Sequence, residues 1–439
     1  MTKSTVLNMI SIEILLYIQV VPLAQRKECN FMENIFDTLM ERGFIEQTSN
    51  EQEVRELLAR PPVTFYIGFD PTADSLHVGH FIPILLMMHL QKAGHRPIAL
   101  MGGGTGMVGD PSGRSDLRQV MSTEEIDANC AVLKKQFSRF LYFDEKDGAL
   151  MENNADWLRH LNYIEFLRDY GHMFSVNRML TAECFKRRME VGLTFLEFNY
   201  MLMQAYDFLE LYRRHNAVMQ MGGNDQWSNI LAGADLIRRV EGASAYALTV
   251  KLLLTSTGQK MGKTEKGALW LDRNKTSPYE FYQYWRNIDD ADVYNCLSLL
   301  TFLPMAEVRE LTAAGGNINA AKSKLAYELT ALVHCEEDAR QAQAAAQALF
   351  GGGGDLSNVP TTRLSQAEFS TGMDILSLLS ATGLISSKSE GRRLVADGGI
   401  YLNNERVPNI ELFVDEAAFS AGYALLRKGK KVYHKVELN

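Results

Sequence analysis

The sequence predicts an α/β fold with a doubly wound parallel sheet, because strand-like and helical patterns alternate along its first half. Residues 63–69 (VTFYIGF) form a short aromatic and β-branched run that is typical of a buried strand. A helical apolar pattern follows over 76–93, and a second strand-like run follows over 97–101. Strand, helix, strand is a βαβ unit, whose ligand site lies at the carboxyl ends of the parallel strands. We therefore predict a Rossmann-like domain.

Further elements extend this catalytic domain over residues 32–276. A capping-box pattern that starts at Ser122 predicts a helix to about Phe140. Residues 217–222 (AVMQMG) predict another strand, and a helix over 226–240 follows it. The repeated succession of strand and helix supports a single α/β domain in this part of the chain.

The first 31 residues are harder to interpret. Residues 5–24 are rich in apolar side chains, yet Glu13 lies among them, which argues against a signal peptide and more strongly against a spanning helix. From Met32 an amphipathic helical pattern continues to about Gly43. We therefore interpret 1–31 as an N-terminal extension of doubtful significance.

The second half of the chain predicts smaller domains. Residues 277–350 are helical in pattern, and the glycine run that begins the polar stretch 351–372 predicts a linker. Residues 373–439 predict a small α+β domain of two helices followed by short strands. Five Lys or Arg, one His and no acidic residue fall between 423 and 435, which favours contact with RNA phosphates.

Composition sets limits on the class of protein. The chain has 439 residues, of which 46% are hydrophobic, so it can bury the cores of two to four domains. A net charge of −8 does not exclude an RNA partner, because the position of the basic residues matters more than their sum. The five cysteines are widely spaced and contain no CxxC, which argues against a disulfide framework or structural zinc and favours a reduced cytoplasmic protein.

Two short motifs predict chemistry on a polyphosphate. His77 and His80, in HVGH (77–80), are three residues apart at a predicted helix start, where backbone N–H groups and the helix dipole favour an anion. The second motif, KMGKT (260–264), combines a glycine with two lysines that can supply mobile point charges. Either motif alone is weak evidence, but their order along an α/β chain makes the pair informative.

A third pattern predicts a polar ligand pocket. Tyr200, Gln204 and Asp207 lie in FNYMLMQAYDF (198–208) at i, i+4 and i+7, which puts them on one face of a helix. A buried Gln and a buried Asp cost stability unless both are satisfied. The pattern therefore indicates a ligand or a hydrogen-bond network.

In this order, the two motifs resemble the signatures of class I aminoacyl-tRNA synthetases. The segment YIGFDPTADSLHVGH (66–80), with the 198–208 block, is similar to the bacterial-type tyrosyl-tRNA synthetases. The resemblance implies activation of tyrosine by ATP to tyrosyl-adenylate and pyrophosphate, followed by transfer of the tyrosyl group to the 3′ end of tRNA(Tyr). It also implies that residues 373–439 form an RNA-binding domain of ribosomal-protein type.

The resemblance implies roles for individual residues. Asp207 and Tyr66 would hydrogen-bond the tyrosine phenol, while Tyr200, Gln204 and Asp110 would hold its ammonium group. The complete implied tyrosine pocket is Tyr66, Asp110, Asn154, Tyr200, Gln204, Asp207 and Gln220. The implied catalytic residues are His77, His80, Lys260, Lys263, Arg114, Arg118 and Thr72.

Two further sets complete the implied sites. The residues implied to bind ATP or the adenylate are Gly68, Asp70, Gly79, Gly222, Asp225 and Gln226. The residues implied to bind tRNA are Lys388, Arg392, Arg393, Arg427 and Lys428. No protein-bound metal is expected, and Mg²⁺ is expected to arrive with ATP.

The resemblance also implies a cytoplasmic homodimer with no membrane association. Two alternatives remain open from the sequence. A tryptophanyl-tRNA synthetase would share the fold and both motifs, although Tyr66 with Asp207 suits a phenol better than an indole. A non-enzymatic RNA-binding relative is the second, although such proteins often lose motif residues that this chain retains.

Overall fold

The computed structural model contains two compact units. It describes residues 34–112, 121–144, 146–264, 267–351, 359–365, 369, 372–429 and 432–439. The first unit is the chain up to Gly262 with Ser298–Leu300, and the second is Lys263–Leu297 with Thr301–Asn439. The predicted domain boundaries at 276 and 350 therefore both fall in the second unit. The predicted extension 1–31 lies outside the described residues.

A six-stranded sheet forms the centre of the first unit. In chain order its strands are β1 (Ile45–Thr48), β2 (Thr64–Phe69), β3 (Arg96–Met101), β4 (Leu150–Asn153), β5 (Met219–Gly223) and β6 (Tyr246–Val250). Their order across the sheet is β1-β6-β5-β2-β3-β4. Neighbours from β6 to β4 are parallel, and β1 is an antiparallel edge strand that the sequence analysis did not predict.

This strand order confirms the predicted doubly wound α/β fold. The chain runs outward on one side from β2 to β4, then returns to β5 on the other side of β2. The reversal at β2 is a topological switch point, and the loops beyond the carboxyl ends of β2, β3 and β5 border one crevice. All the candidate pocket residues named below belong to these strands and loops or to the adjoining helices.

Eleven helices of the described part of the first unit surround the sheet or connect its strands. They are α1 (Ile35–Arg42), α2 (Glu51–Leu58), α3 (Phe81–Lys92), α4 (Thr123–Phe137), α5 (Ala155–Leu158), α6 (Tyr163–Asp169), α7 (Val176–Leu180), α8 (Glu183–Val191), α9 (Phe195–Phe198), α10 (Tyr200–His215) and α11 (Trp227–Glu241).

Local sequence explains where several of these helices begin and end. The predicted capping box at Ser122 is present, because its hydroxyl accepts from Glu125 N while the Glu125 carboxylate accepts from Ser122 N. Helix α1 ends at Gly43, whose φ of 84° is left-handed. Helix α3 is buried over most of its length because its segment is apolar on every side.

The second unit begins with a two-stranded ribbon and continues as helices. The ribbon is β7 (Lys263–Thr264) with β8 (Gly267–Ala268), and the helices are α12 (Pro278–Arg286), α13 (Val293–Leu300, whose last turn belongs to the first unit), α14 (Met305–Leu311), α15 (Ile318–Val333) and α16 (Glu336–Gly351). The elements from Pro278 to Gly351 are helices, as the helical pattern of 277–350 predicted, and the chain turns between them at 287–292 and at His334.

In its described elements, the C-terminal part combines a five-stranded sheet with two helices. Its elements are β9 (Thr361–Leu364), β10 (Met373–Asp374), α17 (Ile375–Ala381), α18 (Lys388–Ala396), β11 (Ile400–Leu402), β12 (Glu405–Arg406), β13 (Phe413–Val414), β14 (Ala424–Lys428) and β15 (Val432–Leu438). The sheet order is β12-β11-β14-β15-β9. The helix, helix, strands prediction for this part is confirmed.

The predicted linker 351–372 needs correction. Strand β9 lies within it, yet β9 pairs in parallel with β15 and adds an edge strand to the C-terminal sheet. Its TTRL sequence is too short and too polar to predict a strand by itself, and the pairing supplies the stability.

Among the helices of the described residues, none has both the length and the hydropathy that a membrane span requires.

Candidate active site

A buried polar network around Asp207 occupies the predicted tyrosine pocket. Both carboxylate oxygens of Asp207 accept hydrogen bonds: Asn154 Nδ2 donates to Oδ2 over 2.9 Å, and Trp157 Nε1 donates to Oδ1 over 2.7 Å. Asp207 lies on α10, while Asn154 and Trp157 lie at the start and within α5, directly after β4. Desolvation raises the pKa of Asp207 to about 7, although the two donors act to lower it.

Three buried polar atoms near this network have no hydrogen-bond partner among the described residues. They are Tyr66 Oη, Gln204 Oε1 and Gln220 Oε1. Tyr66 on β2 pairs in register with Gln220 on β5, and Gln204 lies one turn before Asp207 on α10. An unpaired buried polar atom costs about 1–3 kcal/mol. Three of them together therefore indicate a polar ligand that would supply the missing partners.

Asp70 connects the start of α10 to the loop after β3. Its Oδ2 accepts from Tyr200 Oη over 3.2 Å, and its Oδ1 accepts from Thr105 Oγ1 over 2.9 Å. A Cβ on Gly102 would lie 2.2 Å from Asp70 Oδ1, so only glycine allows the Asp70 carboxylate to approach this loop. Asp70 thereby fixes Tyr200 at the edge of the same pocket.

Asp110 lies near Asp70, on the loop that follows the glycine-rich segment. Its Oδ1 accepts from Ser112 N over 2.8 Å, and its Oδ2 accepts from Gln226 Nε2 over 2.6 Å. The pKa of Asp110 is raised to about 6, mainly by desolvation and also by the nearby Asp70, against the Ser112 and Gln226 hydrogen bonds, which act to lower it. The crevice therefore holds three carboxylates, two of which titrate near neutral pH and would favour a bound ammonium group.

The two histidines of HVGH form a stacked pair at the start of the helix that follows β2. Their ring centroids are 4.0 Å apart and their planes differ by 24°. His77 Nδ1 accepts from Gly79 N over 3.0 Å, and His80 Nδ1 accepts from His77 N over 3.2 Å. A Cβ on Gly79 would lie 2.6 Å from the His77 ring, so this turn requires glycine.

This geometry determines the protonation state of the two histidines. Because each Nδ1 accepts a hydrogen bond, each ring carries its proton on Nε2, which is a donor. Desolvation lowers the pKa of His77, and desolvation with repulsion from His77 lowers the pKa of His80 to about 3. In this structure the pair is neutral at physiological pH, so it would contact phosphate oxygens through N–H groups rather than as two charges.

Gly262 of the second motif lies directly beside the first motif. Gly262 has a φ of 82°, and a Cβ there would lie 2.8 Å from Val78 Cβ, the apolar residue between the histidines. Met261 N donates to Leu253 O over 2.9 Å, which turns the loop back toward the body of the unit. Lys260 lies on this loop with an exposed side chain. Glycine at 262 suits both the positive φ and the close approach.

The predicted nucleotide residues lie around the carboxyl ends of β2 and β5. Gly68 is exposed near the end of β2, and nothing lies within 4 Å of where its Cβ would be. Gly222 lies in β5, and a Cβ there would be 3.3 Å from Gln226 Cβ. Asp225 lies in the 3₁₀ turn between β5 and α11. Thr72 is exposed, and its backbone N–H donates to Asp70 O over 2.8 Å.

Three predicted cationic residues stay predictions. Arg114 and Arg118 lie outside the described residues. Lys263 belongs to the second unit, where its backbone pairs with Ala268, and its side chain lies outside the described part of the chain.

The predicted tRNA residues divide into two groups. Lys388, Arg392 and Arg393 are exposed on α18. Lys428 is instead tied to Glu390 by a 2.7 Å ion pair, and the Arg427 guanidinium stacks on Tyr401 with its Cζ 3.7 Å from the ring centroid. The charge of Lys428 is thus partly neutralised within the domain, whereas the α18 cations face solvent.

Two pocket residues were missed by the sequence analysis. Trp157 and Thr105 donate to Asp207 and Asp70, respectively. A weak signal existed for Trp157, because it lies three residues after the predicted pocket residue Asn154. Thr105 stands in the glycine-rich segment GGGTG, where its hydroxyl is the one side-chain donor.

The chain matches two family models. The model described as "tRNA synthetases class I (W and Y)" matches residues 58–351, and the model "Tyrosine--tRNA ligase SYY-like C-terminal domain" matches residues 354–436. Tyrosine–tRNA ligase of Clostridium tetani is 59% identical over 404 residues, which are 92% of this chain and 98% of that protein. Tyrosine–tRNA ligase of Acetivibrio thermocellus is 59% identical over 93% of this chain and 100% of that protein. The chain belongs to the tyrosine–tRNA ligase family.

Solved structures agree with this family assignment. A C-terminally truncated mitochondrial tyrosyl-tRNA synthetase of Aspergillus nidulans has a TM-score of 0.63 and 29% identity, over 74% of this chain and 97% of that one. A tryptophanyl-tRNA synthetase of Encephalitozoon cuniculi has a TM-score of 0.51 at 14% identity, over 70% of this chain and 86% of that one, and shows the shared fold alone.

Proposed function

We propose that this enzyme activates tyrosine with ATP to tyrosyl-adenylate and pyrophosphate, then transfers the tyrosyl group to the 3′ end of tRNA(Tyr). The observation that carries the proposal is the pocket where Tyr66 Oη and two glutamine oxygens lack partners among the described residues beside Asp207. A substrate phenol and ammonium group supply partners to such atoms, whereas an indole offers one N–H and no acceptor.

In this pocket the phenol would donate to Asp207 and meet Tyr66 Oη. The ammonium group would bind among Tyr200, Gln204 and Asp110. A site built to hydrogen-bond a substrate hydroxyl rejects the analogue that lacks it, because its own buried polar groups stay unpaired; tyrosyl-tRNA synthetases are themselves the standard example of this effect. Phenylalanine would therefore be rejected, because Tyr66 Oη would stay unpaired and Asp207 would lack the hydrogen bond from the phenol.

The adenylation step would need positioning and charge stabilisation more than covalent chemistry. The tyrosine carboxylate attacks the α-phosphorus of ATP, and pyrophosphate leaves. His77 and His80 would donate through Nε2–H to phosphate oxygens, while Lys260 and Lys263 would neutralise the pyrophosphate. Arg114 and Arg118 would add positive charge. Each of these roles favours the transition state because the phosphate charge shifts during the reaction.

Mg²⁺ would reach the site with ATP. In the described residues, no group of three or more His, Cys, Asp or Glu is arranged to hold a metal ion. A Mg²⁺ ion that keeps most of its waters and binds substrate phosphates needs few protein ligands. We also propose a cytoplasmic location, consistent with buried reduced cysteines at 130, 184 and 296.

Tyrosine-dependent exchange of labelled pyrophosphate into ATP tests the proposed reaction. Purified full-length protein should catalyse exchange with tyrosine, and much more slowly with phenylalanine or tryptophan. Exchange that prefers tryptophan would support the tryptophanyl alternative, and a folded protein without any exchange would support the RNA-binding alternative.

We propose that the enzyme works as a homodimer through the region 163–196. Among the described residues, large apolar side chains are conspicuously exposed there, with Phe195 at 68%, Ile164 at 70% and Val191 at 62%. Contiguous exposed apolar residues mark interaction surfaces in proteins of this size. The buried ion pair between Arg188 and Glu197 fixes the hairpin that carries Val191 and Phe195.

Replacing Phe195 by Glu should dissociate the dimer. A charge placed within an apolar interface loses its hydration without gaining a partner. Sedimentation or light scattering should show mass near 49.4 kDa for Phe195→Glu and about twice that for the wild type. Phe413→Glu, at another exposed phenylalanine, serves as the control and should stay dimeric. A dimeric Phe195→Glu variant would place the interface elsewhere.

We propose that α18 contacts the tRNA backbone. Reversing two exposed charges by Arg392→Glu with Arg393→Glu should raise the KM for tRNA about 10- to 100-fold, because each lost phosphate contact lowers the affinity. The dependence of that affinity on salt concentration should become less steep. Tyrosine-dependent exchange should stay unchanged. Lys134→Glu with Lys135→Glu, an exposed pair on α4, is the matched control. Equal loss in both double variants would indicate only a net-charge effect.

A further inference from the structure

Trp157 connects the tyrosine pocket to the surface of the first unit. Its buried indole donates through Nε1 to Asp207 Oδ1 over 2.7 Å. The guanidinium of Arg214 lies over the same ring, with its Cζ 4.8 Å from the ring centroid. Arg214 follows Asp207 by two turns of α10, so both residues face α5. Guanidinium, indole and carboxylate thus form one continuous line of contacts.

We propose that Arg214 is a positioning residue for tyrosine recognition, which acts through the Trp157 indole to keep the Asp207 carboxylate in place as acceptor for the substrate phenol. The inference rests on the proposed role of Asp207. It extends the specificity determinant from the pocket to a residue whose side chain is 43% exposed and that touches no substrate.

One physical effect carries this influence. A cation over the face of an indole draws electron density from the ring, which makes its N–H a stronger donor to the carboxylate. Arg214 Nε also donates to Glu210 Oε2 over 3.1 Å, but Glu210 pairs with Arg213 as well, so the Glu210 charge stays offset when Arg214 is replaced. Without Arg214, the indole would donate more weakly to Asp207.

Several other groups that face Asp207 also set the pKa of its carboxyl. Burial is the largest cause that raises the Asp207 pKa, and Asp70 and Glu210 add to it, whereas the hydrogen bonds from Asn154 and Trp157 lower it. The Tyr66 phenol lies beside it, fully buried. Because this carboxyl titrates near neutral pH, a modest weakening of one donor changes the fraction of enzyme in which Asp207 is ionised. Only the ionised carboxylate can accept the hydrogen bond from the phenol.

The adjacent Arg213 provides a matched control within the same turn. Arg213 also pairs with Glu210, at 3.7 Å, but its main contacts are Glu241 at 2.7 Å and the Tyr170 hydroxyl at 3.1 Å. The described ring contacts place Arg214, and not Arg213, over Trp157. Comparing the two substitutions therefore separates an effect through the indole from a general effect of charge near Glu210.

The first experiment measures kcat/KM for tyrosine and phenylalanine by pyrophosphate exchange from about pH 5.5 to about pH 9, for the wild type, Arg214→Met, Arg214→Lys and Arg213→Met. Activity with tyrosine should fall as pH drops through the Asp207 pKa. In Arg214→Met that fall should begin at higher pH, giving about a threefold to tenfold loss at about pH 6.5 and little loss at about pH 9. Phenylalanine activity should be unchanged, Arg214→Lys should be intermediate, and Arg213→Met should match the wild type.

A double substitution tests the route through the indole. In a Trp157→Phe background, which keeps an aromatic ring and removes the N–H, adding Arg214→Met should produce no further shift. Equal losses for tyrosine and phenylalanine, identical profiles for Arg213→Met and Arg214→Met, or additive effects in the Trp157→Phe background would each overturn the proposal.

A direct titration keeps this inference separate from the proposed role of Asp207. The chain has four tryptophans, so fluorine NMR of 5-fluorotryptophan protein gives few signals, and Trp157→Phe assigns the relevant one. Its pH midpoint should rise in Arg214→Met and stay unchanged in Arg213→Met; an unmoved midpoint overturns the inference. If the midpoint rises while Asp207→Asn keeps full tyrosine activity, Arg214 influences Asp207 but Asp207 does not recognise the phenol.

Discussion

Replacing Asp207 by Asn is expected to lower kcat/KM for tyrosine in pyrophosphate exchange by at least about 100-fold. The substitution keeps the shape of the side chain but removes the negative charge that accepts the phenol proton. A hydrogen bond to a charged group contributes about 1.5–3 kcal/mol, and about 100-fold corresponds to about 2.7 kcal/mol. The loss is large because the new amide also carries an NH₂ group, which would face one of the donors Asn154 Nδ2 and Trp157 Nε1.

Phenylalanine gives the internal control for this prediction. It has no hydroxyl to place against the side chain at position 207, so its slow exchange should fall little, and discrimination between the two amino acids should narrow. Asp156→Asn, an exposed neighbour on α5, should leave both activities unchanged. An Asp207→Asn enzyme that discriminates as well as the wild type would remove Asp207 from the specificity pocket.

The same substitution should change how the stability of the fold depends on pH. Burial raises the Asp207 pKa from 3.8 to about 7, so between these values the folded state holds a proton that the unfolded state has released. Stability therefore falls as pH rises through that window. Asp207→Asn removes this pH-dependent penalty, so the unfolding temperature of the variant relative to the wild type should be higher at about pH 8 than at about pH 5.

The sequence was sufficient for the elements whose pattern is local. The parallel strands β2, β3 and β5 are short apolar runs because both faces of the sheet are covered, and the cap at Ser122 is a local signal. The edge strands β1 and β9 were missed because a polar four-residue segment becomes a strand only when its partner is present. Pairing with a distant strand leaves no trace in the segment itself.

The sequence indicated which residues to place in the candidate site, but not their protonation states or hydrogen-bond partners. The resemblance gave Asp207, Tyr66 and Gln204, and the structure brings them together. It could not give the neutral, Nε2-protonated state of His77 and His80, because that state depends on burial and on backbone donors in a folded turn. The role of Trp157 was hidden for the same reason, since a tryptophan is an ordinary core residue until its N–H partner is known.

Replacing His80 by Ala is expected to slow adenylate formation about 100-fold with little change in the KM for tyrosine. Loss of one preorganised donor to a developing negative charge typically costs about 10²–10³ in rate. His80 Nε2–H is such a donor, because Nδ1 accepts from His77 N and the low pKa keeps the ring neutral. The tyrosine pocket, built around Asp207, keeps its contacts, so ground-state binding of the amino acid should persist.

Single-turnover measurement of adenylate formation is the appropriate assay, since it separates chemistry from product release. His160→Ala, at an exposed histidine of the same unit, should keep the wild-type rate. Because the pKa of His80 is about 3, this histidine should not titrate near its ordinary value of 6.5. The pH profile of the wild-type single-turnover rate should therefore contain no ionisation near that value that is lost in His80→Ala. Such an ionisation would mean that the pair reacts as imidazolium, with the bound phosphates raising its pKa against the effect of burial. An unchanged rate in His80→Ala would instead remove this histidine from the phosphate site, leaving Lys260 and the other cations to stabilise the transition state.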